Sequence, residues 1–411
     1  MFVQEHRVST DWRGARTSCS VRAMSSRLVL VSLLVVPFAL SFACGEAGKA
    51  EPKKTEVKVD VKDTKDAKDV KPVAGPEPEA YAWVLPRGLK APAVPEDNAM
   101  SADKVELGHQ LFFDKRLSVD GTRSCYSCHQ NELGNADGRE KALGPGDKLL
   151  ARNTPTIWNV GYHAELYWDG RSGSLEKQMI GAWKGGNMAV GEPGLAAKAA
   201  EIGALPEYRA QFRKVFGIGE ADAVTPEHVA KAVSAYERTL LCGDTAWDSN
   251  TLSPEAQRGW ELFRGKAACG TCHSGDNFAD GLYHKVGVGV PASGEGGEGG
   301  DQGRFDASKA EGDRYKFRTP TMRNIGKTAP YFHDGSVADL REAVKLMASG
   351  GDRKIKDLDT NLADRKLTDA EIDDLVVFLR ALDCPGSLAV IGDQAVAGIS
   401  DRAAKPAPSA G

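Results

Sequence analysis

No apolar run in this chain is long enough to cross a bilayer. The longest, Leu28 to Phe42, has the length of a signal-peptide core, short of the roughly 20 residues a membrane helix requires. Excess charge of one sign is lacking too: the net charge is -4 over 411 residues, and no concentrated basic face marks a nucleic-acid binder. Cysteines number 8, too few to staple a chain of this length as a disulfide scaffold. Apolar–polar alternation of period two is nearly missing, which excludes a sandwich or barrel. What is there is globular material, 41% hydrophobic and 27% charged. That suffices for two or three units with sizeable cores and excludes a wholly disordered chain.

Several arginines precede the Leu28–Phe42 run, which ends at Ala43-Cys44-Gly45. Residues 1–44 read as an export signal, either of the bacterial lipoprotein type with Cys44 lipidated, or an ordinary cleaved signal with Cys44 incidental. Residues 45–80 are Lys, Asp, Glu, Pro and Val in the main. Nothing there can bury a core, so a charged, disordered tether is expected. Residues 391–411 read as a flexible tail. The expected location is the periplasm, with the membrane met through a lipid anchor only.

Between these ends the pattern is helical. Thr225-Pro226-Glu227 and Ser253-Pro254-Glu255 are cap-then-proline helix starts, and Thr368-Asp369-Ala370-Glu371 is a capping box. Ser336 is expected to cap a helix carrying Leu340, Val344 and Met347 on one face and ending at Gly350. The fold class is mainly α, with long irregular loops.

The chain also repeats itself. Thr154-Pro155-Thr156, Asn159, Gly161, Tyr167, Asp169-Gly170 and Leu175 recur 165 residues later as Thr319-Pro320-Thr321, Asn324, Gly326, Phe332, Asp334-Gly335 and Leu340. Gly108 to Phe112 and Gly259 to Phe263 each precede a Cys-x-x-Cys-His. Two modules therefore share one plan, expected over 81–245 and 246–390. They differ where it matters: Trp168 stands in the place of His333, and Ala182 in the place of Met347.

Cys125-Tyr126-Ser127-Cys128-His129 and Cys269-Gly270-Thr271-Cys272-His273 have the spacing of covalent haem attachment. Two thiols form thioether bonds and the adjacent histidine reaches the iron. A zinc site of four cysteines wants its pairs some 15–20 residues apart, whereas these begin 144 residues apart. A redox dithiol has no need of the following histidine. Two haem c groups are the expected cofactors. A second strong ligand makes such a haem an electron-transfer centre, and an open position allows substrate chemistry. By periodicity alone Met347 is a core residue or a ligand. Trp168 by itself reads as a core aromatic.

The ordered set Arg152 to Thr156, Tyr167 to Arg171, Arg318 to Asn324, Thr328 to Gly335 and Ala343 to Met347, around both Cys-x-x-Cys-His motifs, resembles the bacterial dihaem cytochrome c peroxidases and the related MauG-like enzymes. The resemblance covers about 100–385. It implies two cytochrome c-like domains, the first peroxidatic with His129 proximal, the second an electron-transfer haem held by His273 and Met347. MauG-like enzymes carry Tyr where Met347 stands, so the chain leans towards the peroxidases. A calcium ion between the haems would fall on Asn153, Thr328 and Pro330, a bridging tryptophan on Trp168, and a distal glutamine on Gln178. The family's plugging histidine has Pro145 in its place, which implies an open first haem. Its distal glutamate has no counterpart in Gly185-Gly186-Asn187-Met188; Asn187 or Met188 stands there, with Glu192 as a nearby substitute. Implied partners are H₂O₂ and a small c-type cytochrome or cupredoxin as donor, with a homodimer as the assembly.

Other residues receive lesser readings. His163, His109 and His228 are expected as solvent or core histidines, with His163 and Met179 the first places to look for a hidden sixth ligand. His284 is expected at the mouth of the second haem, and His333 to hydrogen-bond near the junction of the two. Cys242 and Cys384 are left over and each follows a helix, so in an oxidising compartment they can pair. Oxidative modification of a partner protein, and plain electron carriage without catalysis, stand as the two alternative functions.

Overall fold

The computed structural model describes residues 81–291 and 300–385, all within one compact unit. The expectations for the signal, the tether and the tail fall on 1–80 and 386–411, outside the described residues.

Five helices build the first module: α1 (Ala102–Phe113), α2 (Leu175–Lys184), α3 (Leu195–Ala204), α4 (Pro206–Phe216) and α5 (Pro226–Glu237). The second holds α6 (Pro254–Arg264), a short α7 (Phe305–Ser308), α8 (Leu340–Ala348) and α9 (Asp369–Arg380). The strands described are β1 (Tyr283–His284) and β2 (Phe317–Arg318), paired antiparallel. The mainly α expectation therefore holds.

The expected helix starts are present. Thr225 caps α5, Ser253 caps α6, and Thr368 with Glu371 forms a reciprocal box at α9. His228 joins the α5 cap by accepting the Thr225 N–H at 3.2 Å. The start of α8 needs correction. Asp339, not Ser336, is its cap, accepting from the Arg341 and Glu342 N–H groups. The Asp334-Gly335-Ser336 stretch is held in a turn of its own, with the Ser336 N–H donating to Asp334 Oδ1 at 3.1 Å.

The duplication is visible in the packing. In the first module α1 and α2 both pack on α5; in the second α6 and α8 both pack on α9. Gly108 and Gly259 sit at two equivalent contacts. A Cβ on Gly108 would run into the carbonyl of Ala232, and one on Gly259 into that of Asp374. Only glycine lets the backbones approach so closely. The loops repeat as well: Tyr167 and Phe332 share a φ of 69°, and the Leu166–Ser172 and Tyr331–Val337 bridges match.

Each module has its own apolar core. Trp183, Phe212, Leu107, Leu111 and Tyr236 fill the first, and Phe263, Phe378, Leu375 and Leu382 the second. The leftover cysteines form a disulfide, Cys242–Cys384, joining the two modules. Among the described residues no helix is long and apolar enough to cross a membrane.

Candidate haem sites

Both Cys-x-x-Cys-His stretches fold as one helical turn followed by a loop that curls back onto the histidine. The His129 N–H donates to the Cys125 carbonyl and the His273 N–H to the Cys269 carbonyl, at 3.0 and 2.9 Å. In the first module the Nδ1 of His129 lies 3.0 Å from the Asn135 carbonyl; in the second, His273 Nδ1 lies 3.1 Å from the Phe278 carbonyl. A carbonyl only accepts, so Nδ1 carries the proton and Nε2 presents its lone pair. Burial holds both imidazoles neutral: it lowers the pKa of His129, and brings that of His273 down to about 4.

Three of the four thiols are held protonated by burial. Burial pushes Cys128 and Cys269 up to about 11, and raises Cys125 further. The two pairs lie in separate modules, each followed directly by its own half-buried histidine, which suits haem attachment better than one four-cysteine zinc site. Among the described residues one cluster has metal-ligand types, Cys272, Asp280 and His284, and Cys272 is itself a haem-attaching thiol. His284 is clamped between Asp359 at 2.7 Å and Asp280 at 3.0 Å. Hydrogen bonds to Cys272 and these two carboxylates push it up to about 10.

The second module encloses a predominantly apolar cavity with an empty volume of about 1430 Å³, counting its open mouth. Cys269, Cys272 and His273 stand on its wall, and so do Val344 and Met347 of α8. The sequence-predicted pair of ligands thus faces one cavity that suits a macrocycle. In the first module buried donors, Nε of Arg123 and Nδ2 of Asn135, have no protein partner. Arg123 lies near Cys128, and Asn135 supplies the carbonyl to His129, so both suit a group bearing carboxylates. The residues present fit two haems.

The first-module segment equivalent to α8 is built differently. On α2 the counterpart of Met347 is Ala182, and Gln178 is half-buried, its backbone carbonyl taking the Tyr167 hydroxyl at 3.0 Å. Asn187 is exposed, while Met188 is buried in the first core with its carbonyl bound by the Val119 N–H. Met188 is therefore packing. Glu192 is 70% exposed and paired with Lys184, which removes it as the substitute carboxylate. Pro145 opens a short turn to Asp147, and its neighbour Gly144 lies so close to the Gly186 carbonyl that a Cβ would collide. Arg123 pairs with Asp147 and pins that turn.

Residues at the junction of the two modules are brought together. Trp168 lines the second cavity, and its ring N–H donates to the Asn153 carbonyl at 3.0 Å. The Asn153 N–H donates in turn to the His333 carbonyl at 2.8 Å. His333 thus hydrogen-bonds at the junction through its backbone, while its ring stacks on Phe317 at 3.5 Å. Asn153 is buried, and its Nδ2 donates to the Arg139 carbonyl, so Oδ1 is left to accept or ligate. Thr328 packs near Gly134 of the first module, and Pro330 follows a cis peptide two residues later. His163 has both ring nitrogens engaged, Nδ1 by Arg318 at 3.0 Å and Nε2 by Asn277 at 3.4 Å. Burial and Arg318 bring its pKa down to about 3. Met179 is buried in the first core. His109 is likewise a core residue, packed against Phe113 and Tyr236.

Fold and sites together define a c-type cytochrome with two duplicated haem modules. Residues 102–256 match the di-haem cytochrome c peroxidase family, and residues 256–383 match cytochrome c. The cytochrome c peroxidase IdrP1 of Denitromonas iodatirespirans is 37% identical, over 70% of this chain and 84% of that protein. The methylamine utilization protein MauG of Methylorubrum extorquens is 33% identical, over 70% and 80%. The cytochrome c551 peroxidase of Pseudomonas aeruginosa is 32% identical, over 69% and 79%. Among solved structures, a MauG-like protein associated with microbial copper homeostasis superposes with a TM-score of 0.69 at 32% identity, covering 74% of this chain and 96% of that one. The chain belongs to the di-haem cytochrome c peroxidase family, and two c-type haems are its cofactors.

Proposed function

We propose that the protein is an exported peroxidase that reduces H₂O₂ to two waters with two electrons and two protons. The observation carrying this is the asymmetry of the duplicated site: Met347 lines the same cavity as His273 in the second module, while its counterpart in the first module is Ala182. Haem iron supplies the electron transfer and the peroxide-binding position when bound. His129 and His273 hold the proximal sides, each oriented by a backbone carbonyl. Met347 closes the second site and makes it the electron entry, served by a small c-type cytochrome or cupredoxin. Trp168 lies on the path between the modules. Gln178 and Asn187 are the polar side chains assigned to orient peroxide at the first site. Asn153 Oδ1 and the carbonyls of Thr328 and Pro330 would hold a calcium ion, which would stiffen the junction. A lipid on Cys44 and the charged tether hold the enzyme at the membrane on the periplasmic side. Steady-state oxidation of a reduced small cytochrome by H₂O₂ tests the reading; a rate equal to the uncatalysed one would overturn it.

One observation favours a second reading, oxidative modification of a partner's side chain. O–O cleavage needs a proton carried between the peroxide oxygens, which a positioned acid–base group does. The resemblance puts Asn187 or Met188 where that carboxylate would stand; Asn187 is exposed and Met188 buried. Slow turnover with a long-lived oxidised state suits modification better than rapid detoxification.

A further inference from the structure

Tyr126 stands between the haem-attaching cysteines of the first module, so the two thioether bonds at Cys125 and Cys128 would tie it to the macrocycle edge. Its ring packs on Phe113, centroids 4.6 Å apart. Its hydroxyl points the other way and donates to Glu132 Oε2 at 2.6 Å, on the exposed side of the module. The equivalent residue in the second module is Gly270. A phenol gives up an electron far more readily when its proton leaves at the same time, and a carboxylate within hydrogen-bond reach can take it. The pair therefore joins an oxidisable ring, a proton acceptor and the protein surface at the peroxidatic site alone.

We propose that Tyr126 and Glu132 form a proton-coupled outlet, carrying an oxidising equivalent from the first haem to the surface. In that step Tyr126 passes one electron to the peroxide-oxidised haem site. Its O–H bond breaks, the proton moves to the Glu132 carboxylate, and a neutral tyrosyl radical and a carboxylic acid remain. A phenolic reductant at the surface then gives an electron and a proton, re-forming the Tyr126 O–H bond. Glu132 releases its proton to solvent, where peroxide reduction consumes it. Two other tyrosines donate to carboxylates, Tyr283 to Glu165 at 2.6 Å and Tyr208 to Asp114 at 2.8 Å. Neither lies in a haem-attaching segment.

The outlet rests on the peroxidase reading, and the test separates the two. Holoprotein is mixed with one equivalent of H₂O₂ without donor and freeze-quenched, and the Soret band and the electron paramagnetic resonance spectrum are both recorded. The wild type is expected to show a tyrosyl radical together with the Soret change. Tyr126→Phe should lose at least nine-tenths of the radical while its haem still responds to peroxide, and Glu132→Gln should lower the yield severalfold. A radical that survives in Tyr126→Phe, or that disappears in Tyr283→Phe instead, overturns the outlet. So does a Soret change with no radical in the wild type. No Soret response in the wild type would overturn the peroxidase reading itself, and the outlet with it.

Discussion

Asn159 and Asn324, 165 residues apart, hold the same left-handed backbone and each seats one cysteine of the Cys242–Cys384 bridge. Their φ angles are 58° and 63°. Asn159 Oδ1 accepts the Cys242 N–H at 2.7 Å, and Asn324 Oδ1 accepts that of Cys384 at 3.1 Å. The disulfide thus joins equivalent points of the two modules, both buried. It closes a loop of 142 residues, for which chain entropy gives about 5 kcal/mol. Cys242→Ala combined with Cys384→Ala should cost about 3–5 kcal/mol by denaturant unfolding. An unchanged midpoint would show that the bridge adds nothing to the module contacts.

Haem attachment gives the second prediction. The mature protein should keep its haem on a denaturing gel, and Cys125→Ala and Cys269→Ala should each lose one haem equivalent by pyridine haemochrome assay. Two full equivalents in either variant would contradict the attachment assigned to it.

For the second site, Met347→His should lower the higher reduction potential by on the order of 0.2 V, within the roughly 0.8 V that axial ligands command. The weak sulfur-to-iron band near the red end of the spectrum should vanish with it. An unaltered titration would make Met347 packing and move attention to Met322, which lines the same cavity.

Much of this was legible in the sequence because covalent haem attachment and helix caps are local signals. Thr225, Ser253 and Thr368 cap the helices their spacing predicts, and the internal repeat foretold two matching modules. Ser336 misled, since Asp339 lies nearer the first turn of α8 and its carboxylate takes two N–H groups there. Asn135 and Phe278 gave no signal at all, because each acts through a backbone carbonyl that any residue possesses. Met188 could not be separated from Asn187 by sequence, since only the turn after α2 decides which side chain enters the core. Glu237, which ends α5 beside Arg238, is buried as well.

That burial has a pH consequence. Burial raises the carboxyl of Glu237 to about 8, and its Oε2 has no partner. The unfolded chain ionises near 4.5, so folding is penalised increasingly as pH climbs from there towards 8. Glu237→Gln should leave stability at pH 4 unchanged and raise it at pH 8 by about 2 kcal/mol. An equal effect at both pH values would show that the carboxyl does not titrate in the fold.

The proposed peroxidase requires one site closed by Met347 and the other open beyond His129, with Ala182 and Pro145 in the places where ligands would stand. Electron paramagnetic resonance of the fully oxidised holoprotein, before and after cyanide, tests this most directly. The prediction is one high-spin and one low-spin haem, with cyanide converting the high-spin signal without prior reduction. Two low-spin haems inert to cyanide would contradict it and leave the protein an electron carrier.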